Sequence, residues 1–138
     1  MREIREITDI YKALSDETRI RIVNILQEGK LCVSSIVNIL GLRQSTVSRH
    51  LSYLRTKGVA ESRREGVQVY YSLCSNLGFY LHLPCLKKIR EDVEELKYDA
   101  DRLLQKKRNY MSLDKSYPPA SLNVLSYQNI TNTSKDIF

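Results

Sequence analysis

A glycine turn between two short helical segments constrains the fold of this chain more than any other feature. The first segment covers residues 33–40 and ends at Gly41, and the second runs through "RQSTVSRHLSYLRTKG" to Gly58. The second segment carries an apolar stripe that consists of Val47, Leu51 and Leu54. Two helices joined by a tight turn, the second with one apolar and one polar side, predict a helix-turn-helix.

The polar side of the second helix carries residue types that contact DNA. In the major groove, glutamine pairs with adenine, arginine pairs with guanine, and hydroxyl groups contact bases or phosphates. The candidate DNA-binding residues on this helix are Gln44, Ser45, Thr46, Ser48, Arg49 and His50. His50 has two interpretations: a phosphate contact, or a hydrogen-bonded residue at the rim of the core.

The distribution of charge points to the same partner. The chain has a formal net charge of +6, and no acidic residue lies between Glu28 and Glu61. From residue 43 to residue 64, six Lys and Arg residues stand against Glu61 alone. A basic zone that coincides with the helix-turn-helix predicts a face for double-stranded DNA. The alternative is a solvated, lysine-rich surface.

After Gly58 the apolar period changes from that of a helix to that of a strand. Within "VAESRREGVQVYYSL", apolar and polar residues alternate over residues 67–73, and "RREG" supplies a turn back to a first strand over residues 59–62. The hairpin would lie as a wing on the DNA backbone or in the minor groove. Its candidate DNA-binding residues are Arg63, Arg64 and Gln68. The predicted fold class is mainly α with a small β-hairpin (α+β), a winged helix-turn-helix.

Apolar stripes also occur near both ends of the chain. The N-terminal stripe consists of Ile4, Ile7, Tyr11 and Leu14. A helix that begins at Pro84 carries a heptad-like stripe of Leu86, Ile89, Val93, Leu96, Ala100 and Leu103. Stripes this narrow suit packing against another helix. Between them, a further helix begins at Ser15 or Asp16 as its N-cap and stops at Gly29.

The helical period ends after Arg108. We therefore expect one winged helix-turn-helix domain over residues 1–108. Residues 109–138 are rich in Ser, Asn and Tyr, and we expect them to form a flexible tail.

Other classes of protein find little support in the sequence. No apolar run approaches the ~20 residues that span a bilayer, and residues 1–10 lack a signal-peptide pattern. We therefore expect a cytoplasmic protein with no membrane partner. The chain has only two histidines, no glycine-rich phosphate loop and no paired carboxylates in a recognisable site, so we do not expect an enzyme.

Residues 13–73 resemble the ArsR/SmtB family of winged-helix repressors, most specifically in "TVSRHLSYLRTKGV" and "RREGVQVYYSL". The resemblance covers residues 1 to about 108. It implies a homodimer built from the first and last helices, an operator with inverted-repeat symmetry, and release of DNA when an inducer binds. With this pairing, the predicted dimer interface comprises Ile4, Ile7, Tyr11, Leu86, Ile89, Val93, Leu96, Ala100 and Leu103.

Both usual metal sites of the family are incomplete here. Metal-sensing members often carry an "LCVC" pair followed by Asp, where this chain has Ser34 and Ser35 after Cys32. A second family site uses Asp and His at the start of the last helix, where this chain has Ser75 and Leu77. Arg43 also replaces the serine that commonly caps the recognition helix.

The three cysteines, Cys32, Cys74 and Cys85, leave three alternatives open. In the first alternative, they bind trivalent arsenic, trivalent antimony or another thiophilic metal as the inducer, since such ions prefer sulfur. In the second alternative, they form a thiol switch through a disulfide or a persulfide. As the third alternative, they are small buried residues, since free cysteine is among the most buried residue types.

The leading prediction is a sequence-specific, DNA-binding transcriptional repressor. The alternative from another class is a protein-interaction module that keeps the winged-helix fold and binds a partner through its last helix. The absence of acidic residues from the predicted recognition helix favours the repressor, because an adaptor has no need of it.

Overall fold

The structure, a computed structural model, describes residues 3–113 of the chain. Within that range, α-helices combine with a small antiparallel sheet, and the predicted α+β winged helix-turn-helix is confirmed. A short 3-10 helix, Ser75–Phe79, follows the last strand. The elements in chain order are α1 (Ile4–Ala13), α2 (Glu17–Leu26), β1 (Leu31–Cys32), α3 (Val33–Leu40), α4 (Gln44–Thr56), β2 (Ala60–Glu65), β3 (Gln68–Leu73), α5 (Leu83–Asp92) and α6 (Glu94–Leu113).

The ends of the helices in the DNA-reading motif follow from local sequence. Asp16 is the N-cap of α2, and its side chain accepts a hydrogen bond from the Arg19 backbone N–H at 3.0 Å. Helix α3 ends at Gly41, whose φ of +66° favours glycine. Helix α4 begins at Gln44 although Arg43 provides no side-chain cap. The predicted turn between α3 and α4 is therefore confirmed.

The sheet contains a third strand that the sequence did not predict. The strand order is β1-β3-β2, and in β1 Leu31 pairs with Tyr71 and Cys32 pairs with Tyr70. Two residues are too few to show a period of two, so no sequence pattern could reveal β1. Its pairing with β3 attaches the wing to the start of α3.

The hairpin turn begins three residues later than the sequence predicted. Strand β2 continues to Glu65, which pairs with Gln68, so the turn is Gly66-Val67 and not "RREG". Gly66 adopts a φ of +62°, which fits the first residue of a two-residue hairpin loop. Val67 lies at the tip and is 90% exposed.

The strict alternation predicted for β3 is also wrong. Tyr70 and Tyr71 are both buried, although they point to opposite faces of the sheet. Tyr71 packs in the core, whereas the Lys30 ammonium lies over the Tyr70 ring at 5.2 Å. Strand β3 is thus the central strand and is covered on both faces.

The apolar stripe of α4 packs against the core. Val47, Leu51 and Leu54 are each 0% exposed, which confirms their predicted role in the helix-turn-helix. Because these side chains are fixed inside, the opposite side of α4 faces solvent.

The C-terminal helix is not one continuous element from Pro84, as the heptad-like stripe predicted. It breaks at Val93, whose backbone is extended at φ −115° and ψ 110°. The break turns α6 so that its apolar residues face α2 and α3. Leu96, Ala100 and Leu103 are consequently buried within the chain, which corrects their prediction as dimer-interface residues.

The other predicted dimer residues remain nearer the surface. Ile4 is 80% exposed, Ile7 40%, Tyr11 55% and Ile89 46%. Leu86 and Val93 are half-buried.

The helical period was predicted to end after Arg108, whereas helix α6 continues to Leu113. The remainder of the predicted tail, residues 114–138, lies outside the described residues. None of the helices within residues 3–113 is long and apolar enough to cross a membrane.

A buried ion pair holds α6 to α2. Arg21 donates to both carboxylate oxygens of Asp99, Nε to Oδ2 at 2.8 Å and Nη2 to Oδ1 at 2.9 Å. Asp99 is fully buried. The same Arg21 Nη2 also donates to the Leu40 carbonyl at 3.1 Å, at the end of α3. One guanidinium therefore joins α2, α3 and α6.

Two further contacts extend this attachment along α2. Asn24 donates from Nδ2 to the Leu96 carbonyl of α6 at 3.0 Å. Arg90 of α5 donates from Nε to Asn24 Oδ1 at 2.7 Å and from Nη1 to Glu28 Oε1 at 2.9 Å. Each buried polar group of Asn24 is thus satisfied, as burial requires.

Replacement of Asp99 tests the importance of the buried pair. We expect Asp99→Ala to lower the free energy of unfolding by about 3 kcal/mol, because the partner guanidinium loses its carboxylate in a largely buried site. Urea unfolding at fixed protein concentration measures this change. Asp101→Ala, an exposed position on the same helix, is the control and should change stability by less than about 0.5 kcal/mol. Equal effects of the two variants would contradict the role given to Asp99.

Candidate nucleic-acid interface

The exposed side of α4 carries most of the predicted base-reading residues. Gln44, Ser45 and Arg49 are exposed, while Ser48 is half-buried beside them. Thr46 is also half-buried, and it lies on the same side of α4 as His50. The exposed set begins in the first turn of α4, which is the part of a recognition helix that approaches base edges.

His50 lies at the rim of the core, the second of its two interpretations. Its side chain is only 12% exposed, with Nδ1 3.3 Å from Arg19 Nη1 and 3.8 Å from Asp16 Oδ1. Burial lowers the pKa of His50 against the opposing effect of Asp16, and the positive charges of Arg19 and Arg49 lower it further. His50 is therefore neutral at pH 7 and is not a suitable cation for a phosphate.

Two residues that the sequence argument omitted lie on the exposed side of α4. Ser52 and Arg55 follow Arg49 at helical spacings of three and six, and both are exposed. Arg55 donates from Nη1 to Ser62 Oγ at 3.3 Å, which connects α4 to the wing. Extending the spacing from Arg49 along the helix would have identified both.

The predicted wing residues are all accessible. Arg63, Arg64 and Gln68 are exposed at the distal half of the hairpin. Arg64 donates from Nε to the Gly66 carbonyl at 3.3 Å, which holds its guanidinium close to the tip. Lys30 forms an ion pair with Glu65 at 2.7 Å, which neutralises a carboxylate next to these cations.

Cationic side chains also brace the far end of α4. The Arg19 guanidinium lies 4.2 Å from the centre of the Tyr53 ring, a distance that allows a cation–π interaction. Lys57 forms an ion pair with Asp9 of α1 at 3.3 Å. Helix α4 is therefore held by α2 on one side and by α1 at its end.

Cys32 is buried at the N-cap of α3, directly before the helix-turn-helix. Its Sγ lies 3.2 Å from Ser34 Oγ and 3.1 Å from Ser35 Oγ. Burial acts to raise the pKa of Cys32, but hydrogen bonds from Ser34 and Ser35 and the positive charge of Lys106 outweigh burial and lower the pKa below its usual value. Cys32 thus has increased thiolate character.

The other two cysteines occupy different environments. Cys74 follows β3 and is partly buried, and burial together with the nearby Glu61 charge raises its pKa. Cys85 is exposed in the first turn of α5, with its Sγ 3.0 Å from His82 Nδ1. Cys85 and His82 are thus two potential metal ligands that converge on one point.

One chain does not bring the three cysteines together. Cys32 pairs with Tyr70, and Cys74 lies four residues further along the chain, so their Cα atoms are roughly 13 Å apart at ~3.3 Å per residue. Among the described residues, no group of three or more His, Cys, Asp or Glu side chains converges as a metal site. The described residues of one chain therefore do not form a site from all three cysteines.

The fold is shared with solved winged-helix regulators. The homodimeric winged helix-turn-helix DNA-binding domain of Mb0332 from Mycobacterium bovis, a possible ArsR-family regulator, superimposes with a TM-score of 0.54 at 29% identity. The match covers 63% of this chain and 79% of that domain. The fold and the exposed basic helix define a DNA-binding regulator of transcription, not an enzyme.

Sequence comparison gives the family. Residues 16–62 match the sequence profile of the bacterial regulatory protein, arsR family. The arsenic resistance transcriptional regulator ArsR1 of Pseudomonas putida is 36% identical over 106 residues, which cover 76% of this chain and 83% of that protein. This chain belongs to the ArsR family.

Some relatives are matched over only part of their length. A homologue of the cadmium resistance regulator CadC from Staphylococcus aureus is 45% identical over 69 residues. That alignment covers 49% of this chain and 57% of the relative. The similarity therefore does not extend to the whole of that protein.

The environment of His50 predicts a pH-dependent stability. Because its pKa is lowered in the folded state, the unfolded chain takes up a proton first as pH falls below the ordinary histidine value of 6.5, and stability is lost. We expect His50→Gln to lose less stability than the wild type between pH 7 and about pH 5. Urea unfolding at both pH values measures this difference. His82→Gln at an exposed position is the control, and equal pH dependence of wild type and His50→Gln would contradict the assignment.

Proposed function

We propose that the chain represses transcription as a homodimer on an inverted-repeat operator and is released by a thiophilic inducer. The observation that carries the DNA-binding part is the exposed, acid-free face of α4 next to the cationic wing. Membership in the ArsR family favours this function over a protein-interaction module.

The residues of α4 and of the wing have different roles in this proposal. Arg49, together with Gln44 and Ser45, contacts base edges in the major groove, because these residues lie in the first half of the recognition helix. Arg63 and Arg64 lie on the wing and contact phosphates or the minor groove. Specificity then comes mainly from α4, and the wing contributes affinity that depends on salt.

Exposed apolar residues on α1 and α5 support a homodimer. Ile4, Tyr11 and Ile89 remain largely exposed in the single chain, and clustered apolar exposure is typical of protein interfaces. Helix α1 is joined to the segment before α5, since Tyr80 donates to Glu6 at 2.9 Å and Tyr11 donates to the Tyr80 carbonyl at 3.2 Å. A two-fold dimer would place two α4 helices ~34 Å apart, one turn of DNA.

The proposed inducer site is the Cys85–His82 pair from each of two subunits. The relatives named for cadmium and arsenic resistance suggest a thiophilic inducer. Two copies of the pair would supply two thiolates and two imidazoles, a set that suits a tetrahedral divalent ion. Trivalent arsenic or antimony requires three thiolates, so the geometry favours a divalent soft metal.

A thiol switch is the second candidate for regulation. It is favoured by Cys32, whose pKa is lowered by hydrogen bonds and Lys106 despite its burial. A thiolate at the start of α3 lies next to the recognition motif, and its disulfide or persulfide would change the packing there.

DNA binding is tested by fluorescence anisotropy with a labelled palindromic promoter fragment. Affinity should fall steeply between about 50 mM and about 200 mM salt. Arg49→Ala should weaken specific binding by about 1–3 kcal/mol and relax base preference, because it removes a base contact. Arg64→Ala should weaken all sequences similarly and reduce the salt slope by about one.

Lys97→Ala is the control for these variants, because Lys97 is an exposed cation on α6, away from α4 and the wing. It should leave affinity and base preference unchanged. Binding that is absent, or that does not depend on salt, would contradict the repressor function. Equal loss of base preference in Arg49→Ala and Arg64→Ala would contradict the division of roles.

The inducer site is tested by titrating Cd²⁺ into the protein–operator complex. Cd²⁺ should release the wild type, with thiolate-to-metal absorption reaching its maximum at one ion per dimer. Cys85→Ser and His82→Asn should lose both signals, whereas Cys32→Ser and Cys74→Ser should keep them. Loss of the response in Cys32→Ser alone would instead support the site at α3.

A further inference from the structure

A cavity of about 310 Å³ lies between α6 and the face formed by β1, β3 and the start of α3. Its volume is at the lower end of the range of ligand pockets, roughly 300–1,000 Å³. The side chains that line it include two lysines, Lys106 and Lys107, and no carboxylate among its described lining residues. A concave site with this charge suits a small anion.

The two lysines differ in their relation to the cavity. Lys107 is only 7% exposed, and its Nζ donates to the Glu28 carbonyl at 3.4 Å, so it also holds α6 to the segment that follows α2. Burial lowers the pKa of Lys107 to about 8, which leaves its ammonium form predominant at pH 7. Lys106 donates from Nζ to Ser35 Oγ at 3.3 Å. An ammonium group has three donors, and this bond engages one of them.

The wall opposite α6 adds hydrogen-bond donors to the positive charge. The Ser34 and Ser35 hydroxyls line the cavity in the first turn of α3, and when Cys32 is a neutral thiol they can turn from its Sγ to donate to a ligand. The N-terminus of a helix adds partial positive charge at the same place. Lys106 and the two hydroxyls therefore approach one region of the cavity from different elements.

Apart from Gln68 and Cys32, the remaining residues that line the cavity are apolar or aromatic. They are the buried Leu31 and Leu103, together with Tyr70 and Tyr110. A ligand that fits these walls has a flat apolar body as well as an anionic group.

We propose that this cavity binds a small aromatic or unsaturated carboxylic acid, with its carboxylate at Lys106, Ser34 and Ser35 and its apolar body between Tyr70 and Leu103. The site is distinct from the Cys85–His82 pair and does not depend on the proposed metal inducer. A ligand there would contact α6, the wing through Gln68 and Tyr70, and the start of the helix-turn-helix at the same time. It would thereby alter the mobility of the wing relative to α3.

Cys32 lies in the same cavity and reports on occupancy. A bound carboxylate would disfavour the negatively charged thiolate of Cys32 and would block access to it. Occupancy should therefore slow the alkylation of Cys32. Cys74 and Cys85 do not line the cavity and serve as internal references.

The test uses the full chain with benzoate as the probe and the neutral benzamide as its matched control. Mass spectrometry of digests measures the rate of iodoacetamide labelling at each cysteine, and ligand-observed NMR measures binding directly. We expect benzoate to slow labelling of Cys32 severalfold without changing Cys74 or Cys85. Benzamide should have little effect, because it lacks the charge that the lysine recognises.

Variants of α6 identify the anchor. Lys106→Gln should weaken benzoate binding about tenfold, the loss expected for one charge-assisted hydrogen bond, and Lys106→Arg should retain it. Lys97→Gln, on the opposite side of α6, should bind like the wild type. Equal protection by benzoate and benzamide, no protection by either, or unchanged binding in a folded Lys106→Gln variant would overturn the proposal. Circular dichroism confirms that each variant is folded.

Discussion

The ion pair between Arg21 and Asp99 is the interaction on which the arrangement of the helices depends. Asp99 is fully buried on α6, where an unpaired carboxylate would be strongly destabilising. Its partner Arg21 also donates to the Leu40 carbonyl at the end of α3. The C-terminal helix is therefore attached to the first helix of the DNA-reading motif through one guanidinium. The break at Val93 separates α5 from α6, so the helix that carries Asp99 and Leu103 has its own direction.

Features governed by local spacing were predictable from the sequence, and features governed by distant partners were not. Val47, Leu51 and Leu54 follow the helical period, so their burial and the exposure of the opposite side were both predictable. The heptad-like stripe in residues 86–103 continues across Val93, and nothing in its spacing signals an extended residue there. The stripe predicted a helical partner correctly, but α2 and α3 of the same chain supply that partner for Leu96, Ala100 and Leu103. The β1 strand escaped prediction because only its pairing with β3 defines it.

The candidate site shows the same division. The helical period of α4 places Gln44, Ser45 and Arg49 away from its apolar stripe, so their exposure was predictable. His50 and Thr46 fall on the side that faces α2. Asp16 and Arg19 lie against His50 only because the chain folds that way, so the sequence could not predict these contacts. The environments of the cysteines also depend on residues that are distant in sequence. Adjacent hydroxyls were visible in the sequence for Cys32, but Lys106, more than seventy residues away, could not be placed beside it.

Helix α2 is the element through which a ligand bound at α5 must act on α4. Its C-terminal half binds Arg90 of α5 through Asn24, and Glu28, just beyond its end, binds Arg90 as well, close to the segment that carries Cys85. Its N-terminal end holds α4, since Arg19 lies over Tyr53 and next to His50. A packed helix transmits a displacement as a rigid body, whereas side-chain motion would absorb a displacement at a contact confined to the surface. Among the described helices, only α2 makes such polar contacts with both α5 and α4. A ligand that joins two α5 helices would therefore change the separation of the two α4 helices only if it also displaces α2. The cavity at Lys106 differs in this respect, because it lies directly against α3 and the wing and needs no intermediate helix.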